Sequence, residues 1–290
     1  MNKSELVVTG GSGFLGSYLV NALLNTNRIT LIVRRKLDFK AEVQQLIVSK
    51  EQDFVFLQEK IPQRATFIHC AAAINATHTS EYWQANVVLT REMLEIAVSK
   101  KAKLFILFST GGVYGYSDGK YAKESDKLEP IGVYGHTKLI SEQVAAMYAK
   151  EHGLNIVVFR LYFPFAEGQK KGIFPLIKNS MIERKELTLN RNGSPRMQPV
   201  HCYDILSAVA KAIEKTPQGI NVYNLCGDEV VSFGDIIKEY SEAADIEINT
   251  KNSDHDIGDL LADNALIKSE LEWEPRVKCR EFIRRDALSI

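Results

Sequence analysis

Two residues near the middle of the chain have the spacing that proton transfer requires, because Tyr134 and Lys138 are four positions apart. If a helix begins near Tyr134, this spacing puts the phenol and the ammonium on one helical face. An ammonium beside a phenol favours the phenolate and lowers a pKa that is ordinarily about 10. Tyr134 is therefore predicted to act as a general acid or base. Two surface residues on an amphipathic helix would show the same spacing.

A glycine-rich string near the start of the chain indicates where a phosphate group could bind. Gly10, Gly13 and Gly16 follow a short apolar run and lead into a segment with helical spacing. Such glycines allow a tight turn, a close approach of the backbone to a pyrophosphate, and close packing of helix on strand. The helix N-terminus, with Phe14 and Leu15, would offer oriented N–H donors. The string therefore predicts a dinucleotide cofactor beside the proton-transfer pair.

The end of the next apolar run bears on the choice of cofactor. Arg34 and Arg35 follow Val33, at a place where an acidic side chain would bind the ribose hydroxyls of NAD and an arginine would accommodate the 2′-phosphate of NADP. We therefore expect NADP. NAD remains the alternative because Asp38 is close by in sequence, and the two arginines could instead be solvated surface residues.

A hydroxyl at the end of a later apolar run is the third candidate group. Residues 104–108 lead into Ser109 and Thr110. The Thr110 hydroxyl could hydrogen-bond a substrate oxygen opposite Tyr134. Without the other two motifs, a hydroxyl at a strand end is usually a turn or cap residue.

These groups need a scaffold, and the first half of the chain alternates strand-like apolar runs with longer helical segments. The runs are residues 6–8, 29–33, 66–68, 104–108 and 156–159, and the helical segments are residues 17–25, 82–101 and 141–152. This βαβ rhythm predicts an α/β fold with a doubly wound parallel sheet of the Rossmann type. Because prolines and polar loops become frequent after residue 163, we assign 1–163 to a dinucleotide-binding domain. Residues 164–290 would form a smaller α/β substrate lobe, with about 200–226 returning to the first domain.

Composition disfavours several classes of function. The 290 residues include 36 basic and 36 acidic side chains, so no overall field favours nucleic acid or an anionic membrane. The sequence has no long apolar run and shows no cleavable leader, which predicts a soluble, cytoplasmic protein without a membrane partner. Its 4 cysteines are scattered, and no cysteines and histidines have metal-ligand spacing, so we expect reduced thiols and no metal.

A set of short strings spans nearly the whole chain. They are residues 9–16, 69–72, 86–87, 109–115, 134–138, 200–204, 223–224 and 271–275. In this order they resemble the extended short-chain dehydrogenase/reductase family, in its nucleotide-sugar epimerase, dehydratase and reductase branch. The resemblance implies that Thr110 orients the sugar oxygen, that Tyr134 transfers the proton, and that Lys138 binds the nicotinamide ribose and tunes Tyr134. It also implies that Ala71 and Asn86 lie near the cofactor.

The same resemblance implies a nucleoside-diphosphate sugar as substrate. Arg196 would then bind the diphosphate, because a guanidinium holds phosphate in a bidentate manner, although Arg196 is one position away from the commonest register. His201 and Asp204 resemble a family landmark, in which Asp204 would be a structural anchor. Two copies would pair as a homodimer through the helices at residues 82–101 and 141–152.

Three features depart from the family's pattern. Gly111 and Gly112 follow Thr110 where dehydratases place an Asp–Glu pair, and 4,6-dehydration needs such carboxylates. Phe163 occupies a position where an asparagine commonly positions the sugar nucleotide. No acidic residue is evident in residues 55–58, which we take as the end of the third strand, so the adenine pocket is expected to differ.

The function favoured by these residues is a 4-ketoreductase that consumes NADPH and transfers hydride to C4 of a nucleoside-diphosphate sugar. The alternative is a nucleotide-sugar 4-epimerase with retained NAD, which oxidises and re-reduces the same carbon. A second alternative is reduction of a carbonyl compound that is not a nucleotide, with the same Tyr134 and Lys138. A cofactor-sensing protein without catalysis is the last alternative, and the intact Thr110, Tyr134 and Lys138 disfavour it.

Overall fold

The computed structural model of the chain describes residues 3–39, 43–48, 53–255 and 257–288. The chain forms two compact units: the first comprises Met1–Val113, Pro130–Arg160 and Ala208–Tyr223, and the second comprises Tyr114–Glu129, Leu161–Ser207 and Asn224–Ile290. Residues 114–129 thus belong to the second unit, although the expected boundary at residue 163 assigned them to the first. The returning segment is residues 208–223, narrower than the expected 200–226.

The strands and helices are numbered in chain order. The strands are β1 (Ser4–Thr9), β2 (Asn27–Val33), β3 (Gln44–Ile47), β4 (Thr66–His69), β5 (Leu104–Thr110), β6 (Tyr121–Ala122), β7 (Ile156–Leu161), β8 (Pro164–Phe165), β9 (Leu187–Leu189), β10 (Arg196–Met197), β11 (Val200–His201), β12 (Ile220–Leu225), β13 (Val231–Ser232), β14 (Thr250–Asn252) and β15 (Leu261–Ala262). The α-helices are α1 (Phe14–Leu23), α2 (Asp53–Lys60), α3 (Thr79–Tyr82), α4 (Leu89–Ser99), α5 (Gly132–His152), α6 (Ile173–Ile182), α7 (Cys202–Lys215), α8 (Phe233–Ala244), α9 (Ala265–Leu271) and α10 (Cys279–Ala287). A π-helix, Trp83–Val88, joins α3 to α4, and 3₁₀ turns occur at Gly111–Val113 and Arg191–Gly193.

The first unit is built on a seven-stranded parallel sheet in the order β12-β7-β5-β4-β1-β2-β3. Val8 of β1 lies opposite both Leu31 of β2 and Ile68 of β4. The chain winds outward from β1 through β2 to β3 and then crosses to β4, so the boundary between β1 and β4 is the topological switch point of the sheet. The predicted doubly wound fold of the Rossmann type is confirmed.

The predicted position of the third strand is wrong. Residues 55–58 lie within α2, and the strand that pairs with β2 is β3. A short apolar run fits either a strand or a buried helix, because periodicity does not separate the two over so few residues. β3 has only four residues, of which only Leu46 is buried, so the apolar run that marks it is short.

Helices α4 and α5 pack on the sheet and contribute to one core in the first unit. Met93 and Leu94 of α4 and Ala145 of α5 are fully buried in it. α5 has 21 residues and ends at Gly153, whose φ of 64° is the left-handed conformation that favours glycine at the end of a helix. Its N-terminal turns lie at the carboxyl end of β5, where Thr110 is the last strand residue.

The second unit has its own core, in which three phenylalanine rings pack among aliphatic side chains. The rings of Phe165, Phe174 and Phe282 contact one another with centroids 4.9, 5.1 and 5.8 Å apart. Asp204 is completely buried, and its carboxylate accepts hydrogen bonds from the backbone N–H groups of residues 276–277 at 2.9 and 3.0 Å. Asp204 therefore anchors the segment that leads into α10.

Candidate active site

The turn after β1 forms a backbone cradle with no room for side chains. A Cβ atom on Gly10 would lie 2.5 Å from the backbone nitrogen of Ala71, and one on Gly16 would lie 2.2 Å from the carbonyl oxygen of Gly10. Gly13 precedes α1, and no side chain among the described residues caps this helix. The first N–H groups of α1 are thus open to a ligand, which is the arrangement that a phosphate group fits.

A cleft of about 770 Å³ opens beside this cradle, at the switch point of the sheet. Its volume is in the range found for cofactor sites. Arg34, at the end of β2, and Ala71, after β4, both line it. Arg35 is exposed and lies outside the lining, and Phe14 and Leu15 form the first turn of α1 without lining it.

Asn86 lies in the π-helix and is completely buried. Its amide nitrogen donates to the carbonyl oxygen of Ala73 at 3.1 Å and to the hydroxyl of Thr137 at 2.9 Å, and its oxygen accepts from the N–H of Ala73 at 2.7 Å. Asn86 therefore uses its amide to hold residues 71–76, which line the cleft. Asn86 itself does not line the cleft, so its place near a cofactor stays a prediction.

Asn86 belongs to a buried network of uncharged groups. The imidazole of His69 lies between two hydroxyls, with Nδ1 2.8 Å from Thr9 Oγ1 and Nε2 3.0 Å from Thr90 Oγ1. The Thr90 hydroxyl donates to the carbonyl oxygen of Asn86 at 2.6 Å. Burial lowers the pKa of His69 to about 3, so the imidazole is neutral at physiological pH. We call Thr9, His69, Thr90, Asn86 and Thr137 the neutral network.

Tyr134 and Lys138 lie one turn apart in the first two turns of α5, as their spacing predicts. Tyr134 is half-buried and Lys138 is buried. A Cβ atom on Gly135 would lie 3.1 Å from the carbonyl oxygen of Gly112, and that carbonyl accepts a hydrogen bond from the N–H of Ile131 at 2.9 Å. The start of α5 and the turn after β5 are therefore in direct backbone contact.

The protonation states of this pair differ from what the spacing alone predicts. Burial raises the pKa of Tyr134 to about 12, so the phenol is protonated at neutral pH. Burial also lowers the pKa of Lys138 to about 8, although the charges of Glu142 and Cys70 act in the opposite direction. The ammonium thus does not lower the pKa of Tyr134 below its ordinary value. Tyr134 is a proton donor in this state, and a further positive charge near the phenol would favour the phenolate.

Thr110 ends β5 with its hydroxyl oriented by the next turn. Its Oγ1 accepts a hydrogen bond from the N–H of Gly112 at 3.1 Å. A hydroxyl that accepts in this way keeps its own proton available to donate. Gly111 and Gly112 form the 3₁₀ turn that follows. Because both residues are glycines, neither offers the carboxylate that 4,6-dehydration requires.

A second buried cluster adjoins Lys138 and contains charged groups. Arg160, on β7, donates from Nη2 to Glu142 Oε2 at 2.7 Å and from Nε to both carboxylate oxygens at 3.2 Å. The hydroxyl of Ser109, on β5, donates to Glu142 Oε1. Glu142 is one turn of α5 beyond Lys138. We call Lys138, Glu142, Arg160 and Ser109 the charged network.

Arg196, the predicted diphosphate ligand, forms an ion pair within the second unit. Its Nε donates to Asp259 Oδ2 at 3.0 Å, and its backbone N–H donates to Asp259 Oδ1 at 3.0 Å. Asp259 also accepts from the N–H of Gly119 at 3.1 Å. The side chain of Arg196 is 50% exposed. Its guanidinium therefore has a structural partner that the sequence analysis did not anticipate.

The described residues contain no group of three or more histidine, cysteine, aspartate or glutamate side chains that could hold a metal ion. The cysteines at positions 70, 202, 226 and 279 form no disulfide bond. Of the helices described, none combines the length and the apolar character needed to span a membrane.

The sequence model of the NAD dependent epimerase/dehydratase family matches residues 6–226, a stretch that includes the glycine cradle, Thr110, Tyr134 and Lys138. The chain belongs to this family. The family is one of enzymes that use a nicotinamide dinucleotide, which agrees with the cradle and the cleft.

Three known proteins illustrate what this family member is similar to. The dTDP-D-glucose 4,6-dehydratase of Dictyostelium discoideum is 28% identical over 267 residues, which cover 81% of this chain and 61% of that protein. The UDP-glucose 4-epimerase of Bacillus subtilis is 23% identical over 314 residues, which cover 93% of this chain and 92% of that protein. The structure of UDP-glucuronic acid 4-epimerase from Bacillus cereus, in complex with UDP-glucuronic acid and NAD, has a TM-score of 0.86 at 24% identity and covers 98% of both chains. This last similarity shows the fold.

The sequence analysis of this epimerase/dehydratase family member missed both buried networks. The only local signal for the charged network is that Glu142 follows Lys138 by the same four positions that separate Lys138 from Tyr134. The neutral network has a weaker signal, a histidine at the end of an otherwise apolar strand, which is also typical of a structural residue. In both cases the partners lie on different strands and helices that are far apart along the chain, which spacing does not reveal.

Proposed function

We propose that the protein is a nucleotide-sugar 4-epimerase that keeps NAD bound between turnovers. The observation that carries the proposal is the backbone contact between the start of α5, with Tyr134 and Lys138, and the turn that follows Thr110. Relatives named as 4-epimerases support it, and the glycines after Thr110 disfavour dehydration. The proposal replaces the 4-ketoreductase that the sequence analysis favoured.

In this proposal, Thr110 and Tyr134 act on the same sugar oxygen. Thr110 donates a hydrogen bond to it, and Tyr134 accepts its proton during oxidation and returns that proton during reduction. When bound, NAD supplies a hydride acceptor and the positive charge of the oxidised nicotinamide ring. Because burial alone holds the pKa of Tyr134 at about 12, the phenol becomes a base only when positive charge, including that of Lys138, is close to it.

The cofactor would be held mainly by the backbone. Gly10, Gly13 and Gly16 leave space for a pyrophosphate next to the open N–H groups of α1. Ala71 would line the dinucleotide site, and Lys138 would bind the nicotinamide ribose. Phe14 and Leu15 would contribute only through the backbone of the first helical turn, because their side chains do not line the cleft.

A 4-ketoreductase that uses NADPH is the second candidate, and Arg34 favours it. Arg34 lies at the end of β2 and lines the cleft, where a guanidinium would pair with a 2′-phosphate. Arg35 lies outside the lining, so a single arginine carries this argument. An Arg34→Asp variant is expected to weaken NADP binding and to leave NAD binding the same or tighter, which titration of both dinucleotides would measure.

The deciding experiment incubates the purified protein with a panel of nucleoside-diphosphate hexoses and follows the sugar protons by NMR. Interconversion of C4 epimers without net consumption of cofactor is the expected result. Stoichiometric loss of NADPH with a 4-keto sugar nucleotide would support the second candidate instead. Neither epimers nor cofactor loss with any member of the panel, under conditions where NAD or NADP raises the melting temperature, would contradict both.

Two further expectations accompany this proposal. Arg196 is proposed to bind the diphosphate in addition to pairing with Asp259, so Arg196→Gln should raise KM more than it lowers kcat. Pairing of two copies through α4 and α5 is proposed for the oligomer, and sedimentation velocity at several protein concentrations would measure it. A cytoplasmic location stays a prediction from sequence.

A further inference from the structure

One face of α5 carries three ionisable side chains at four-residue intervals, namely Tyr134, Lys138 and Glu142. Side chains four residues apart lie one above another on a helix, so Glu142 is one turn beyond Lys138 and two turns beyond Tyr134. Lys138 and Glu142 are only 1% and 6% exposed. The row therefore runs from the half-buried phenol into the interior of the first unit.

Two strands meet this row at Glu142. Arg160, on β7, binds both carboxylate oxygens, with its shortest contact at 2.7 Å, and Ser109, on β5, donates its hydroxyl to one of them. Strands β5 and β7 are neighbours in the sheet. One carboxylate thus ties α5 to two adjacent strands. On β5 the tie is made by the residue directly before Thr110.

Stability alone does not account for this buried pair. The side chains of Arg160 and Glu142 are 5% and 7% exposed, and the cost of removing two such charges from water offsets most of their attraction. An apolar pair of similar volume would stabilise the unit as well or better. The guanidinium contributes a fixed geometry, because its planar N–H groups bind both carboxylate oxygens and so orient the carboxylate.

We propose that Glu142 is a positioning residue, which together with Arg160 and Ser109 fixes α5 against β5 and β7 and so sets the placement of the phenol and the ammonium relative to Thr110. The inference rests on the proposed function, since it assigns these groups to one reaction. Glu142 acts through α5 and touches no reacting atom. Its effect is large because a displacement of about 1 Å at an active site can cost roughly 10²-fold in rate.

Glu142 also favours the protonated, positively charged form of Lys138. The groups that raise the pKa of the buried ammonium are Glu142, which has the larger effect, and Cys70. His69 on β4, which also lies near Lys138, is neutral at physiological pH. Replacing the Glu142 carboxylate by an amide should therefore move the pKa of Lys138 further below its usual range.

Three variants distinguish an effect of Glu142 on active-site geometry from an effect on folding stability. Glu142→Gln leaves the Arg160 charge without its carboxylate and is expected to lower stability as well as activity. Ser109→Ala removes only the tie to β5 and keeps the ion pair. The double variant Glu142→Met/Arg160→Met replaces the ion pair by apolar side chains and should stay folded. Glu239→Gln is the matched control, because the Glu239 carboxylate of α8 also pairs with arginine, in this case with Arg280 and Arg284 of α10.

The measurements are kcat and KM for the proposed epimerisation, with the melting temperature and the cofactor Kd of each variant. Ser109→Ala should lower kcat about ten-fold and the double variant about 10²-fold, while KM, Kd and melting temperature stay close to those of the wild type. Glu239→Gln should leave kcat unchanged. Wild-type kcat in both Ser109→Ala and the double variant would overturn the inference, and so would losses of kcat that only follow losses of melting temperature.

A readout independent of turnover keeps the two proposals distinguishable. In protein labelled with ¹³C-lysine, the signal that disappears in Lys138→Arg reports the pKa of Lys138. That pKa should fall in Glu142→Gln and stay unchanged in Glu239→Gln. If no sugar nucleotide is turned over but this shift is present, the proposed function fails and the effect of Glu142 on Lys138 remains. If the wild type is active and the variants match it in both kcat and this pKa, the inference fails and the function remains.

Discussion

Two buried networks reach α5 at adjacent residues, and they differ in charge. The neutral network, which runs from Thr9 through His69 and Asn86, ends at Thr137. The charged network contains Lys138, the next residue, and continues to Glu142. The first is built from hydroxyls, an amide and an imidazole that stays neutral, whereas the second carries formal charges. The same helix is therefore held by two separate sets of buried groups, one uncharged and one charged.

The two networks also lead to different parts of the site. The neutral network holds residues 71–76, which line the cleft, through the amide of Asn86. The charged network holds the strand residue before Thr110 and the helix that carries Tyr134. We expect damage to the first to appear mainly in stability and cofactor binding, and damage to the second to appear mainly in kcat.

The largest effect should come from removing the phenol hydroxyl of Tyr134, a change that leaves both networks intact. Tyr134→Phe is expected to lower kcat by about 10²–10⁴-fold, because the proton acceptor and donor is lost. Its melting temperature and cofactor Kd should remain close to those of the wild type, since the ring still packs on α5. Steady-state kinetics and thermal unfolding measure these quantities. Retained activity in this variant would contradict the proton-transfer role of Tyr134. It would also contradict the expectation that the charged network acts on kcat through this residue.

The second-largest effect is expected when the substitution Asn86→Ala disrupts the neutral network. The change leaves the N–H and carbonyl groups of Ala73 and the Thr137 hydroxyl without their amide partner, at a cost of about 2–4 kcal/mol in the free energy of unfolding. The cofactor Kd should rise and the pH dependence of kcat should stay the same. Asn221→Ala is the control, because that amide is exposed and bonds only locally. Equal stabilities of the two variants, measured by urea unfolding, would contradict a structural role for the network.

The imidazole of His69 predicts how the neutral network responds to acid. Its pKa is about 3 in the folded protein and 6.5 ordinarily, so between these pH values the unfolded chain binds a proton that the folded chain does not. Stability should therefore fall as pH decreases from about 6.5 toward 3, by roughly 1.4 kcal/mol per pH unit from this group. Urea unfolding of the wild type and of His69→Gln over pH 5–7.5 isolates the effect. Parallel curves for the two proteins would show that His69 is not buried in its neutral form.

The smallest effect should come from the titration of Lys138 at alkaline pH. Because the pKa of Lys138 is about 8, kcat should fall about two-fold by that pH and further above it, as the ammonium is lost. Stability should change in the opposite sense. Its ordinary pKa is 10.5, so the unfolded chain binds more protons between about 8 and 10.5 and the free energy of unfolding rises with pH there. A Lys138→Arg variant should lose both trends, since arginine stays charged.

How much of the site could be predicted from sequence depends on the distance between partners along the chain. The glycine cradle and the spacing of Tyr134 and Lys138 are local, so the strand-turn-helix and helix patterns were sufficient to locate them. The partners of Glu142 are 18 and 33 residues away, and Asp259 follows Arg196 by 63. No periodic pattern connects such positions.

The degree of burial of each side chain is the second property that residue spacing did not predict. The expected lowering of the Tyr134 pKa assumed that the neighbouring ammonium dominates, whereas removal of the phenol from water has the larger effect and raises the pKa to about 12. The same limit explains the misplaced third strand, because only two of the four residues of β3 are apolar, and of these Leu46 is buried whereas Ile47 is exposed. Fold class was more robust, since the long apolar strands repeat the same signal several times.

The returning segment of the first unit has a consequence for how the protein is made. β12 completes one side of the sheet by pairing with β7, but it begins at residue 220 and β7 ends at residue 161. A ribosome that adds about 5–20 residues per second needs roughly 3–12 seconds for the roughly 60 residues between them. Throughout that interval the nascent chain presents the unpaired edge of β7, which can pair with a neighbouring chain. The yield of soluble protein should therefore depend on translation speed and chaperone supply between these two strands.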